Sequence, residues 1–294
     1  MTRILLTGKT GQLGRELQQA LAPLGAIAAL DRTQMDLTDP DAIRRAIRSH
    51  APDIIVNAAG YTTVDQAESE RALAHQINAV APGIMAEEAR RINALLIHYS
   101  TDYVYDGANS APYDENDTPN PVNYYGRSKL EGERAITAIA GAHLILRASW
   151  IYSAYGTNFV LTMLRLARER KEVFVVNDQV GSPSWARSLA ASSAQILTRI
   201  KDRSSASGIY HLSAAGHATR FDFANAIIAA ARQSSAPTTQ WAEIRPTTTA
   251  NYPLPAARPL NAATSKAKLK RDFGVEMPGW QEQIHSFMKS RPLL

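Results

Sequence analysis

Cysteine is absent from this 294-residue chain, so disulfides, thiolate metal sites and cysteine nucleophiles are excluded and a reducing compartment is permitted. Long hydrophobic runs are missing too. The longest weakly apolar stretch, Ala20 to Leu30, carries Pro23 and Gly25 and falls far short of the ~20 residues that span a bilayer. Met1-Thr2-Arg3 leads into only a few apolar residues, unlike a secretory signal, so the expected location is the cytoplasm. Neither sign of charge dominates. Net charge is +5, and the densest basic cluster, Arg165 to Lys171, is broken by Glu169, so it reads as a solvated helix face rather than a nucleic-acid patch. A mild positive balance suits small anionic ligands. The seven His lack metal-ligand spacing, so no metal is expected.

What the chain does contain is a regular alternation of short apolar runs and helical patterns. Arg3 to Thr7, Ala26 to Leu30, Asp53 to Asn57, Leu95 to Ser100 and His143 to Arg147 read as strands. Between them, Gln12 to Leu24, Asp39 to His50, Ser69 to Ile92 with a break near Pro82, and a segment from about Tyr125 read as helices. Strands apolar on both faces predict an α/β fold, a Rossmann-type doubly wound parallel sheet covered by helices. Asp106 to Asn123 is a polar, Pro-rich loop of a length that points to a ligand cover. After Trp150 the pattern loosens into helix, strand, helix, strand, helix and a stretch from Pro237 to Pro259 rich in Thr and Pro. The expected division is a dinucleotide-binding domain over 1–150 and a smaller C-terminal α/β substrate domain over 151–294. Segments at about 173–202 are expected to return to the sheet.

The first turn carries two overlapping phosphate signatures, Gly8-Lys9-Thr10 and the trio Gly8, Gly11, Gly14. A nucleoside-triphosphate loop needs another Gly five positions before Gly8, and that position is Arg3, inside a strand. The trio instead follows a strand and opens a helix, as a dinucleotide turn requires. Asp31 closes the second strand at the offset where a carboxylate meets the adenosine ribose; Arg32 beside it suits a 2′-phosphate, so NADH and NADPH both stay open.

Tyr125 and Lys129 stand four apart on a predicted helix and point the same way, whereas Tyr124 points elsewhere. A phenol with an ordinary pKa of ~10 becomes a useful acid–base group when an ammonium lies beside it. Upstream, Tyr99-Ser-Thr-Asp-Tyr-Val-Tyr105 ends a strand at the sheet's carboxyl edge, where Ser100 or Thr101 could hydrogen-bond a substrate carbonyl.

The glycine turn, Asn57-Ala-Ala-Gly60 and Tyr125-x-x-x-Lys129 resemble the extended short-chain dehydrogenase/reductases. More narrowly, Gly8-Lys-Thr-Gly-Gln-Leu-Gly14, Tyr99 to Tyr105, Ser149-Trp150, Asn177-Asp-Gln179 and Arg258-Pro259 are similar to the dTDP-4-dehydrorhamnose reductase family, over nearly the whole chain. That resemblance implies catalytic Thr101, Tyr125 and Lys129, with NADPH or NADH reducing the 4-keto group of a nucleotide sugar used in cell-surface polysaccharide. It further implies that Gly11, Gln12 and Leu13 border the pyrophosphate and Asp31 meets the ribose. Asp36 and Leu37 would flank the adenine, and Gly60, Tyr61, Thr62 and Tyr99 would line the cofactor path. Asp102 and Trp150 would face the sugar and Arg258 the diphosphate. A homodimer is expected. Two other readings use the same fold: an epimerase or dehydratase with bound NAD, and a non-catalytic regulatory subunit. The lone carboxylate after Thr101 disfavours a dehydratase, which would place an acidic pair there.

Overall fold

The computed structural model describes residues 1–200, 202, 207–234, 236 and 238–290; Pro237, where the Thr- and Pro-rich stretch begins, lies outside them. The first half runs β1 (Arg3–Thr7), α1 (Gln12–Leu21), β2 (Ala26–Leu30), α2 (Pro40–His50), β3 (Ile54–Asn57), α3 (Arg71–His75), α4 (Ala81–Arg91), β4 (Leu95–Thr101), α5 (Tyr124–Ala138) and β5 (His143–Ala148). Asp39 starts α2 by accepting from the amides of Asp41 and Ala42, with Pro40 in the first turn. The expected break near Pro82 is instead one π turn, Gln76–Val80, that joins α3 to α4. Pro82 falls in the first turn of α4, where its missing N–H costs little.

The second half continues with β6 (Ile151–Tyr152), α6 (Phe159–Glu169), β7 (Glu172–Val176), β8 (Val180–Gly181), β9 (Ser184–Trp185), α7 (Ala186–Arg199), β10 (Gly208–His211), β11 (Ala218–Thr219), α8 (Arg220–Ser234), β12 (Glu243–Thr247), α9 (Ala267–Phe273) and α10 (Trp280–Lys289). Six parallel strands form the main sheet in the order β10-β5-β4-β3-β1-β2. All seven residues of β4 are buried, as a central strand covered on both faces must be. One core, with Leu17 and Leu189, packs α1 and α7 on one face; another, with Ile43, Met85 and Ile136, packs α2, α4 and α5 on the other.

From the second half it is β10 that joins this sheet, and α7 that lies on it beside α1. The strands within the segment expected to return pair elsewhere: β8 with β11, β9 with β6, and β7 in parallel with β12. Glu172, Phe174 and Glu243 on that pair are exposed, whereas a place in the main sheet would bury both faces. A separate apolar core, with Tyr152, Phe223, Trp280 and Phe287, holds the smaller half together. No helix among the described residues is long and apolar enough to cross a membrane.

Candidate active site

A cleft of about 1530 Å³ runs along the carboxyl ends of the main strands, where β1 lies between β2 and β3 and the strand order reverses. It exceeds the ~300–1,000 Å³ typical of one small ligand, which leaves room for a dinucleotide and a second molecule. At its floor Gly8 has φ of +73°, and a Cβ on Gly14 would lie 2.0 Å from the Gly8 carbonyl oxygen. Gly14 therefore serves the packing of α1 against the turn, while Gly8, Gly11, Gln12 and Leu13 line the cleft. No side chain caps the first amides of α1, so they are free to donate to a pyrophosphate, and the residues present fit that group.

Beside the end of β2, Asp31, Arg32, Asp36 and Leu37 all line the cleft. Asp31 accepts from the Thr33 hydroxyl (2.6 Å) and pairs with Lys9 Nζ (3.0 Å), and these contacts hold its carboxyl down at about 2. Arg32 is loosely paired with Asp36 at 3.6 Å, and the Asp36 carboxylate also accepts from the Thr38 amide and hydroxyl. Next along the cleft come Gly60, Tyr61 and Thr62. Tyr99 reaches the cleft, but its phenol turns to Ser193 Oγ on α7 (2.5 Å), leaving its carbonyl to accept from Lys129 Nζ (2.6 Å).

The strand-end hydroxyls divide by the alternation of β4. Ser100 Oγ turns beneath α5 and donates to Glu133 in a short bond, whereas Thr101 meets Tyr125 at the cleft. Glu133 is itself locked in a bidentate pair with Arg147, both 2% exposed. The expectation was that Lys129 draws the Tyr125 pKa down; in the structure burial outweighs what lowers it. Burial pushes the phenol well up, the Asp102 charge adds to this, and the Thr101 hydrogen bond lowers it less. Lys129, 4% exposed, is itself lowered to about 8 by burial, against a raising effect of Glu133.

Asp102 accepts from Ser149 Oγ (2.6 Å), and burial lifts its carboxyl to about 6 despite that bond. Trp150 lines the same end, with the Arg220 guanidinium over its ring. Arg258 is there too, but its guanidinium makes a two-toothed pair with Asp65, 2.5 Å and 2.8 Å. Sequence reasoning missed Asp65, Arg220 and Asn78. Asn78 is fully buried, accepts from the Tyr61 amide (2.8 Å) and donates to the Tyr61 carbonyl (2.9 Å) and Ser128 Oγ (3.0 Å), bracing the loop after β3 against α5. Its signal was an amide inside the apolar run Ile77-Asn-Ala-Val80. Asp65 and Arg220 had none, because each is defined by a partner far away in the chain.

Comparison with known proteins agrees along the whole length. The family described as RmlD substrate binding domain matches residues 1–292. The dTDP-4-dehydrorhamnose reductase of Burkholderia thailandensis is 45% identical over 96% of this chain and 96% of its own. That of Escherichia coli is 43% identical over 95% and 94%. Among solved structures, the dTDP-4-dehydrorhamnose reductase of Bacillus anthracis in complex with NADP superposes with a TM-score of 0.91 at 35% identity, covering 99% of both chains. A Thermus thermophilus UDP-glucose 4-epimerase, 20% identical with a TM-score of 0.81, shares the fold. Glycine turn, strand-end hydroxyl, Tyr125 and Lys129 thus sit in a chain that belongs to the RmlD substrate-binding-domain family, that of the dTDP-4-dehydrorhamnose reductases.

Proposed function

We propose that this chain reduces the 4-keto group of dTDP-4-dehydro-L-rhamnose with NADPH or NADH, giving dTDP-L-rhamnose. The observation that carries the proposal is the meeting of Thr101 and Tyr125 beside buried Lys129, in one cleft with the uncapped glycine turn. The nicotinamide cofactor supplies the hydride. Tyr125 donates the proton that the sugar oxygen needs, and its raised pKa keeps it protonated at neutral pH, as an acid in the reductive direction must be. Thr101 orients the carbonyl oxygen. Lys129, fixed by the Tyr99 carbonyl, places a cation beneath the site of developing negative charge and a donor toward the nicotinamide ribose. Asp31 and Arg32 take the adenosine ribose, Asp36 and Leu37 flank the base, and Asp102, Trp150 and Arg258 hold the nucleotide sugar. Cytoplasmic residence and a homodimer belong to the same reading, checked by fractionation and sedimentation velocity.

The test is oxidation of NADPH or NADH with the 4-keto nucleotide sugar, coupled to identification of the product. Release of dTDP-L-rhamnose in step with cofactor oxidation is expected. Tightly held NAD with no net oxidation would move the chain to the epimerase reading.

A further inference from the structure

Trp150 lies between β5 and β6, where the chain leaves the main sheet for the smaller half. Its φ is +41°, in the left-handed region that a bulky side chain rarely adopts, so the surroundings must hold it there. Two residues do so. Gly181 in β8 lies so near the indole that a Cβ on it would come 2.3 Å from Trp150 Cε2 and 2.7 Å from Nε1. The guanidinium of Arg220 lies over the ring, Cζ 3.5 Å from the centroid, and reaches the Phe159 ring at 5.0 Å. Strand pairing brings the two together: β8 runs antiparallel to β11 with Gly181 opposite Ala218, and Arg220 follows β11 with its N–H donating to the Gln179 carbonyl (3.1 Å). Burial lowers the Arg220 pKa and the neighbouring Arg258 adds to this, while the Tyr103 hydroxyl and the Asp102 charge partly offset it. On the chain side, Ser149 Oγ is bonded to Asp102 and the Trp150 carbonyl accepts from the Ser184 amide (3.2 Å).

We infer that Arg220 and Gly181 are positioning residues that act through Trp150, fixing the plane of its indole at the sugar end of the cleft before substrate arrives. This rests on the reading that Trp150 faces the sugar. A planar guanidinium stacks on an aromatic face, and does so more strongly when water is excluded; a lysine ammonium has the charge but not the plane. A side-chain-free residue at 181 leaves the indole only the space it now fills. Together they present a flat apolar wall to a pyranose, so no ordering of a mobile indole is needed on binding.

A double-mutant cycle on the full chain tests this, using Arg220→Leu, Trp150→Leu and the pair, with KM for the nucleotide sugar, kcat and NADPH affinity as readouts. Arg220→Leu is expected to raise KM roughly tenfold, with kcat within about threefold and NADPH affinity unchanged, and Arg220→Lys to rescue only part of it. In the Trp150→Leu background the effect of Arg220→Leu should shrink to about twofold or less. Tryptophan emission gives the geometry: Arg220→Leu should alter it in the parent and not in the Trp150→Leu background, which separates Trp150 from Trp185, Trp241 and Trp280. Gly181→Ala, which changes no charge, should reproduce the KM rise and the emission change; parent-like values would remove Gly181 from the clamp. Equal KM effects of Arg220→Leu in both backgrounds would overturn the inference and make Arg220 a direct ligand of the diphosphate. An unchanged KM in Trp150→Leu alone would overturn the placement of the sugar at Trp150, and the emission cycle would still decide whether Arg220 holds the indole.

Discussion

At Tyr125 the protonation state follows from where the phenol sits. Its half-buried phenol meets Thr101 on the wall of the cleft, with the Asp102 carboxylate near by, and both burial and charge favour the neutral acid. Tyr125→Phe is therefore expected to lower turnover by at least ~10²-fold with little change in cofactor affinity, as loss of a general acid does. Tyr124→Phe should be far milder, since Tyr124 lies under the Arg71 guanidinium, 5.2 Å from its ring centroid, outside the cleft. Steady-state rates with NADPH titrations decide between them. Asp102 gives a second prediction. Folded, its carboxyl titrates at about 6; unfolded, at the usual ~3.9. Between those values the folded chain binds the extra proton, so this group's contribution to stability is present below pH ~4 and is lost as pH rises through about 6. Asp102→Asn cannot titrate, and its Tm relative to the parent should rise between pH 4 and pH 7. Thermal unfolding at the two pH values checks this; a difference independent of pH would contradict it. The spacing of Tyr125 and Lys129 was legible because helix geometry alone puts residues four apart on one face. The direction of the Tyr125 shift was not, because it depends on burial, on the Thr101 hydrogen bond and on the Asp102 charge, which the end of β4 brings to the first turn of α5.

Elements place these groups, and their local rules were mostly readable. The Asp39-Pro40 start of α2 and the glycine turn before α1 follow from capping and backbone freedom within a few residues. The helical run from Arg71 was harder. Pro82 signalled a break, yet proline in a first turn is compatible with helix, and a π turn joins the two helical stretches just before it. That turn carries Asn78, whose amide replaces three backbone or hydroxyl partners in a fully buried setting. Asn78→Ala should leave the Tyr61 amide without its acceptor, at a cost of about 1–3 kcal/mol. For a chain of this size that corresponds to a fall in Tm of several degrees, at roughly 2–4 °C per kcal/mol. Cofactor affinity should weaken as well, because the loop at Gly60 and Tyr61 loses its brace. Calorimetry and NADPH titration on the one variant test both parts; normal affinity with lowered Tm would confine Asn78 to a structural role.

Across the whole molecule the two halves meet over the cleft, and Arg258 is where the meeting is charged. It reaches from the segment after β12 to Asp65, a residue of the loop between β3 and α3, and its burial is offset by that carboxylate. Arg258→Ala is expected to raise KM for the nucleotide sugar roughly tenfold or more, if the lost contact is worth about 1.5 kcal/mol, while NADPH binding stays intact. Asp65→Asn separates anchoring from recognition. If Arg258 serves the diphosphate, freeing it from its carboxylate should leave dTDP affinity equal or tighter; if it merely ties the halves together, both substitutions should weaken dTDP binding alike. Isothermal titration of dTDP into the two variants makes the distinction.

The chain's own order of residues determined the parallel sheet, the glycine turn, the Tyr125–Lys129 face and the exclusion of cysteine chemistry, since each rests on spacing within one element or on composition. Folding in three dimensions decided the rest. Whether β7 or β10 completes the main sheet, whether Ser100 or Thr101 meets Tyr125, what Arg258 pairs with and what lies over Trp150 depend on groups separated by tens to nearly two hundred residues. Local propensity carries no information about such pairs: burial and charge become defined only when distant segments exclude water from the same place.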